Sequence, residues 1–288
     1  MKISYRPEID GLRAIAVISV IIYHADLQIF KGGYLGVDIF FVISGYLITS
    51  IILTEIETTN NFVFSHFYER RVRRILPALL TVTLFSIFIA YFVLLPNQLI
   101  DFFQSVISSL FFYSNYFFYF IGEQYNAPPS LLVPLLHYWS LGVEEQYYII
   151  YPLFIYFLFK KNFKLIFFSL CIIFCLSFFS SIINVNPVFN FFSLHTRIWE
   201  LLAGGIIAYL MFKKVYIGSK KISSFLIYLG LILIILSLFL INDSHNHLAL
   251  KTLPAIIGVS LIIFCSNKEN FLIKILSLKF ITFFGLIS

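Results

Sequence analysis

Arg13 and His24 bracket Arg13-Ala-Ile-Ala-Val-Ile-Ser-Val-Ile-Ile-Tyr-His24, a run that otherwise reads as a lipid-facing helix. On a helix that step is roughly 20° of net rotation and about 16 Å of rise. Cation and imidazole therefore share one face at different depths, and an ionisable residue inside a membrane span points to function. The bland alternative is a histidine near the far helix end that reaches interfacial water. Further along, Arg71 and Arg74 lie three residues apart in Arg70-Arg-Val-Arg-Arg74, just before Pro77. Guanidinium groups so spaced can grip phosphates bidentately. Equally, they suit a juxtamembrane anchor for anionic lipid.

A second group lies in His137-Tyr-Trp-Ser-Leu-Gly-Val-Glu-Glu-Gln146. Glu144 follows His137 by about two helical turns, so an early helix start puts both on one face, where they can share a proton or orient a hydroxyl. An interfacial hydrogen-bonding turn is the competing reading. His137, Trp139 and Ser140 are candidates for acceptor contact or structural support. Arg197 and Glu200 form an i,i+3 pair at a helix start, the usual structural ion pair. Gly36-Val-Asp-Ile-Phe-Phe-Val-Ile-Ser-Gly45 places small residues where helices can approach closely, with Asp38 a further functional candidate.

The elements that carry these residues are membrane helices. With 60% hydrophobic and 12% charged residues and a mean hydropathy of +0.94, 288 residues cannot hide their apolar surface in water. Runs of about 20 residues fall near 14–30, 34–53, 77–95, 103–121, 139–159, 165–183, 198–212, 222–241, 252–266 and 270–287. The expectation is an all-α polytopic protein of about ten spans, with one membrane domain over 1–288. His24 and Asp26 at the end of the first run, and the lack of a small-residue cleavage site, argue against a cleaved signal.

Net charge +6 and a pI near 9.1 do not imply nucleic acid, because the basic residues cluster between hydrophobic runs as orientation signals. Three cysteines give no disulfide framework. Cys171 and Cys175 sit one turn apart in an apolar run as small hydrophobes, Cys265 ends a helix, and no metal site is expected. Asn242-Asp-Ser-His-Asn-His247 reads as a polar loop.

The lysines at 160–164, 213–221 and 268–279 are separated by pairs of spans and belong on one side, with the Arg70–Arg74 cluster. Yet three runs separate Arg74 from Lys160, which puts those loops on opposite faces. Something between them does not cross simply. The proline-rich stretch Gly122–His137 is the expected re-entrant or broken segment, tolerated where it is buried in protein or lines a cavity, and it should bring His137 and Glu144 to the cavity of His24.

Five blocks together resemble the bacterial membrane acyltransferase-3 family. They are Arg6-Pro-Glu-Ile-Asp-Gly-Leu-Arg-Ala-Ile-Ala-Val17 with His24, Gly36 to Thr49, Phe67-Tyr-Glu-Arg-Arg-Val-Arg-Arg-Ile-Leu-Pro77, Leu136 to Tyr147, and Arg197-Ile-Trp-Glu-Leu-Leu-Ala-Gly204. The likeness is nearest to members that O-acetylate surface polysaccharides and carry an SGNH-type domain after the membrane part. The resemblance implies transfer of an acyl group, usually acetyl from cytoplasmic acetyl-CoA, to a glycan hydroxyl of lipopolysaccharide, capsule or wall on the far side. No permanently bound cofactor is implied, and the partners are acetyl-CoA, the polysaccharide or lipid-linked glycan, and membrane lipid. The location implied is the bacterial cytoplasmic membrane with a cytoplasmic N-terminus. Carried over by motif, Arg13, His24 and Glu144 are catalytic candidates and Arg71 and Arg74 hold the donor. Relatives continue past Ser288 into further helical sequence, and the expectation is that the C-terminal end is incomplete. The alternatives are a longer acyl-CoA donor, a proton-coupled transporter using His24, Glu144 and Asp38, and a non-catalytic scaffold. Without a second related half the transporter is less well supported, and a scaffold leaves the buried arginine and histidine unexplained.

Overall fold

A computed structural model describes residues 5–27, 29–124, 129, 132–242 and 248–288. The chain forms α1 (Pro7–His24), α2 (Gly36–Thr59), α3 (Phe64–Val93), α4 (Pro96–Leu110), α5 (Ser114–Gly122), α6 (Tyr138–Lys161) and α7 (Phe163–Ile183). It continues through α8 (Pro187–Phe192), α9 (Leu194–Phe212), α10 (Lys220–Leu240), α11 (Leu248–Cys265), α12 (Phe271–Leu276) and α13 (Lys279–Leu286). No strand occurs among the described residues, in accord with the all-α class read from composition. Local signals set several ends. Pro7 opens α1 with Glu8 and Asp10 in its first turn. Asn162, Asn186, Ser219 and Asn270 cap the helices that follow them by accepting backbone N–H bonds.

Among the described residues, α1, α2, α3, α6, α7, α9, α10 and α11 each run to 18 residues or more. Five of these, α2, α3, α7, α10 and α11, are long and apolar enough to cross a membrane. The protein is thus a multi-pass membrane protein, but two of the ten expected runs do not fold as single helices. The run at 103–121 breaks at Phe111–Tyr113, where Phe112 takes a left-handed φ of 57°, and the run at 270–287 divides into helices of six and eight residues. Hydropathy reports apolar content and is blind to where the backbone turns.

The break at Phe112 resolves the parity conflict, at a different place from the one expected. At one end of the bundle Tyr156 of α6 donates to Asn61 Oδ1 at 3.0 Å and stacks edge-on with Phe64. At the other end of the pair the hydroxyls of Thr83 and Tyr138 meet at 3.4 Å, so α3 and α6 are antiparallel. Lys160 and Lys161 therefore lie at the same end as the Arg70–Arg74 turn. Between the two long helices, α4 and α5 span only about 22 Å and about 13 Å. Their tip is pinned against α6, with Gln146 Nε2 donating to Phe112 O and Asn115 Oδ1 at 2.7 Å and Ser114 Oγ donating to Tyr138 O at 2.8 Å. The two helices make a hairpin whose irregular tip has its backbone satisfied by protein groups, as a re-entrant segment requires. Within Gly122–His137, residues 125–128 and 130–131 lie outside the described residues, as do 243–247 of the polar loop. The described part, Leu132 to His137, is a series of turns leading into α6.

The same end collects the other basic segments. Lys213 Nζ lies 4.0 Å over the Phe163 ring, Lys220 pairs with Glu269 at 2.8 Å, and Arg6 Nη2 donates to Ile263 O at 2.8 Å. At the centre, α2 and α9 lie against each other through Gly45 and Gly204. A Cβ on Gly45 would strike Leu201 O, and one on Gly204 would strike Val42 O. Only glycine allows backbones this close. The contact holds α2 between two apolar clusters, one with α6 and α7, the other with α1, α10 and α11.

Candidate active site

A cavity of about 1000 Å³ opens between α1, α2, α3 and α6. From α1 it receives Arg13, Val17, Val20 and His24, one helical stripe of the kind the sequence spacing implied. The α3 wall supplies Arg71, Arg74 and Ala78 at the same periodicity, and the start of α6 supplies His137, Trp139, Ser140 and Glu144. The cavity thus brings together every candidate residue from the sequence, Arg197 included, except Asp38 and Glu200. The expectation that His137 and Glu144 reach the cavity of His24 agrees with this geometry, although the irregular segment that shapes the topology lies upstream.

The polar groups are ordered along the cavity. Arg71 lies over the Tyr148 ring at 5.2 Å and the Phe67 ring at 5.7 Å, which holds a guanidinium in an apolar wall by cation–π contact. Glu144 is half-buried: Oε1 accepts from Ser44 Oγ at 2.8 Å and Oε2 from Tyr148 OH at 3.3 Å. Arg13 pairs with Asp10 at 3.4 Å and donates through Nη2 to the backbone oxygen of Ser288 at 2.7 Å. At the opposite mouth His24 is exposed, with its ring edge-on to Tyr23. Its Nδ1 lies 2.9 Å from Val20 O. A carbonyl only accepts, so in the neutral ring Nδ1 carries the proton and the lone pair lies on Nε2.

Asp38, Arg197 and Glu200 form a buried cluster that meets the cavity through Arg197 alone. Arg197 Nη1 contacts Asp38 Oδ1 and Glu200 Oε1, both at 2.7 Å, and all three side chains are at most 2% exposed. The i,i+3 pair expected from sequence is present, and Asp38 joins it from α2. The Arg197 guanidinium also faces Trp139 and Phe191, each at 5.3 Å, and Nε donates to Phe191 O. Two of the cluster's oxygens, Asp38 Oδ2 and Glu200 Oε2, have no partner among the described residues.

The profile of a family described as an acyltransferase domain matches residues 6–288. The chain belongs to the acyltransferase-3 family. The peptidoglycan O-acetyltransferase OatA of Listeria monocytogenes is 34% identical over 301 residues, covering 98% of this chain and 47% of OatA. A Staphylococcus aureus protein provisionally named an O-acetyltransferase is 36% identical over 297 residues, covering 99% of this chain and 49% of its own length. YrhL of Bacillus subtilis, provisionally named a peptidoglycan O-acetyltransferase, is 39% identical over 211 residues, or 71% of this chain and 33% of YrhL. The chain thus spans about half or less of the length of these relatives. No solved structure matches it.

Family membership agrees with the resemblance read from the five blocks, and the structure adds residues that the sequence reading passed over. Ser44 and Tyr148 complete the hydrogen bonds of Glu144. Tyr148 was legible as an i,i+4 neighbour of Glu144, whereas Ser44 reaches it across a sequence separation of 100 residues that no local pattern reveals. Glu145 is buried, and its Oε1 has no partner among the described residues.

Proposed function

We propose that this chain is the membrane part of an O-acetyltransferase that moves an acetyl group from acetyl-CoA to a hydroxyl of a cell-surface glycan. One observation carries the reading: a single cavity has paired arginines toward one end and, at the other, a histidine whose Nδ1 is engaged by Val20 O. Arg71 and Arg74 would hold the coenzyme's phosphates, since guanidinium forks match phosphate geometry. His24 would take the proton of the acceptor hydroxyl. The basic end of the bundle faces the cytoplasm by the positive-inside rule, which puts the N-terminus and the donor there and His24 toward the outer face. Among acceptors, a wall glycan of the peptidoglycan class is favoured over lipopolysaccharide or capsule by the names of the relatives.

A proton-coupled transporter finds less support. Its relay of His24, Glu144 and Asp38 needs Asp38 on the path, yet Asp38 is held by Arg197 and does not line the cavity. The deciding experiment supplies radiolabelled acetyl-CoA to membranes containing the protein, with peptidoglycan fragments on the opposite side. Label should pass to base-labile esters on the glycan; labelled coenzyme consumed without glycan ester, or no consumption, defeats the reading.

A further inference from the structure

Ser44 is the serine in this cavity that the bonding singles out. Three serines line it, and two return their hydroxyls to a nearby carbonyl, Ser140 to His137 O and Ser288 to Gly285 O. That is the ordinary habit of serine on a helix. Ser44 Oγ instead donates to the Glu144 carboxylate at 2.8 Å, across the α2–α6 interface. The other carboxylate oxygen accepts from Tyr148 OH, and the Tyr148 ring carries Arg71 at 5.2 Å. Nucleophile, base and a third group that orients the base is the arrangement by which an unactivated hydroxyl becomes an acyl acceptor. The Gly45–Leu201 contact packs the turn of α2 that presents Ser44 closely against α9, which fixes the α2 side of the pair.

We propose that Ser44 is a catalytic residue that takes the acyl group as an ester, dividing the transfer into two half-reactions; this rests on the acetyl-CoA reading above. In the first, Ser44 Oγ bonds to the thioester carbon, its proton passes to Glu144, the carbon–sulfur bond breaks and the coenzyme leaves as a thiolate. In the second, the acceptor hydroxyl bonds to the same carbon and gives its proton to His24. The bond from that carbon to Oγ breaks, and Oγ leaves with the proton held by Glu144. His24 then releases its proton at its own mouth of the cavity. The division has a physical purpose: coenzyme and glycan enter from opposite ends and use the same cavity in turn.

The test omits the glycan first. Membranes containing the wild-type protein are incubated with radiolabelled acetyl-CoA, the protein is digested, and label is located by peptide. Wild type and His24→Ala should both carry base-labile acetyl on the peptide containing Ser44, while Ser44→Ala and Glu144→Gln should not. Added peptidoglycan fragments should discharge the wild-type ester and leave that of His24→Ala in place. Ser44→Ala should lose glycan acetylation by about 100-fold or more while binding acetyl-CoA as the wild type does. Ser44→Cys, which keeps a nucleophile, should take acetyl as a hydroxylamine-sensitive thioester. Wild-type acetylation of glycan with no label on Ser44 overturns the relay alone. So does Ser44→Ala that still transfers well, or that loses donor binding as well, which would mark Ser44 as an interhelical bond only. A wild-type protein that neither takes label nor acetylates glycan sinks the acetyltransferase reading and the relay with it.

Discussion

Arg197 offers one nitrogen to two carboxylates in a site where all three side chains are almost fully buried. Removing the cation leaves two buried carboxylates against each other, and breaking buried ion pairs costs about 3–5 kcal/mol. Arg197→Ala should therefore lower the thermal unfolding temperature of the solubilised protein markedly, whereas Asp38→Asn, which keeps a hydrogen-bonding partner for Arg197, should cost less; equal melting of Arg197→Ala and wild type would contradict this. His24 differs in kind, being exposed at the cavity mouth. His24→Ala should insert normally and lose glycan acetylation, and substantial acetylation by a well-inserted variant removes His24 from the mechanism. Changing Arg71 and Arg74 together to Lys keeps the positive charge but not the fork that matches phosphate. Acetyl-CoA affinity should fall at unchanged topology, and an unaltered affinity would favour the lipid-anchor role.

At the scale of elements, the α2–α9 contact sets the position of Ser44, Asp38 and Arg197 at once. A Cβ at Gly204 would meet the backbone of Val42 and Tyr46, which cannot swing aside as a side chain would. Gly204→Ala should therefore push the helices apart at a cost of about 1–3 kcal/mol, the usual range for overpacking, and lower both melting temperature and transfer rate; a variant with wild-type values for both would show that the helices separate freely. The sequence made the small-residue block from Gly36 to Gly45 and the Arg197–Glu200 pair readable, because each is local. It did not show that α9 is the partner, since which glycine faces which is decided by tertiary packing. The stripe Arg13, Val17, Val20 and His24 was legible for the same local reason, as helical periodicity fixes it. The break at Phe112 was not, because a phenylalanine with φ of 57° carries no turn signature and is held there by Gln146, on another helix.

For the whole molecule, positive charge proved a better guide to topology than the number of hydrophobic runs. Charge clusters report which ends share a side; an apolar run reports only that a segment avoids water, which a re-entrant hairpin does as well as a span. With α4 and α5 too short to cross a core of about 30 Å, the path from the Arg70–Arg74 turn to Lys160 consists of α3 out, a hairpin in and back, and α6 returning. Single cysteines placed at Glu69 and at Asn162 should therefore label with a membrane-impermeant maleimide from the same side of sealed vesicles. A cysteine at Gln124, beyond the end of α5, should label from the opposite side, and one at Ser108, buried in α4, should resist the reagent from both. Labelling of positions 69 and 162 from opposite faces would mean that the hairpin crosses. The single cavity would then have to be rebuilt, because His137 and Glu144 enter it only if α6 runs antiparallel to α3.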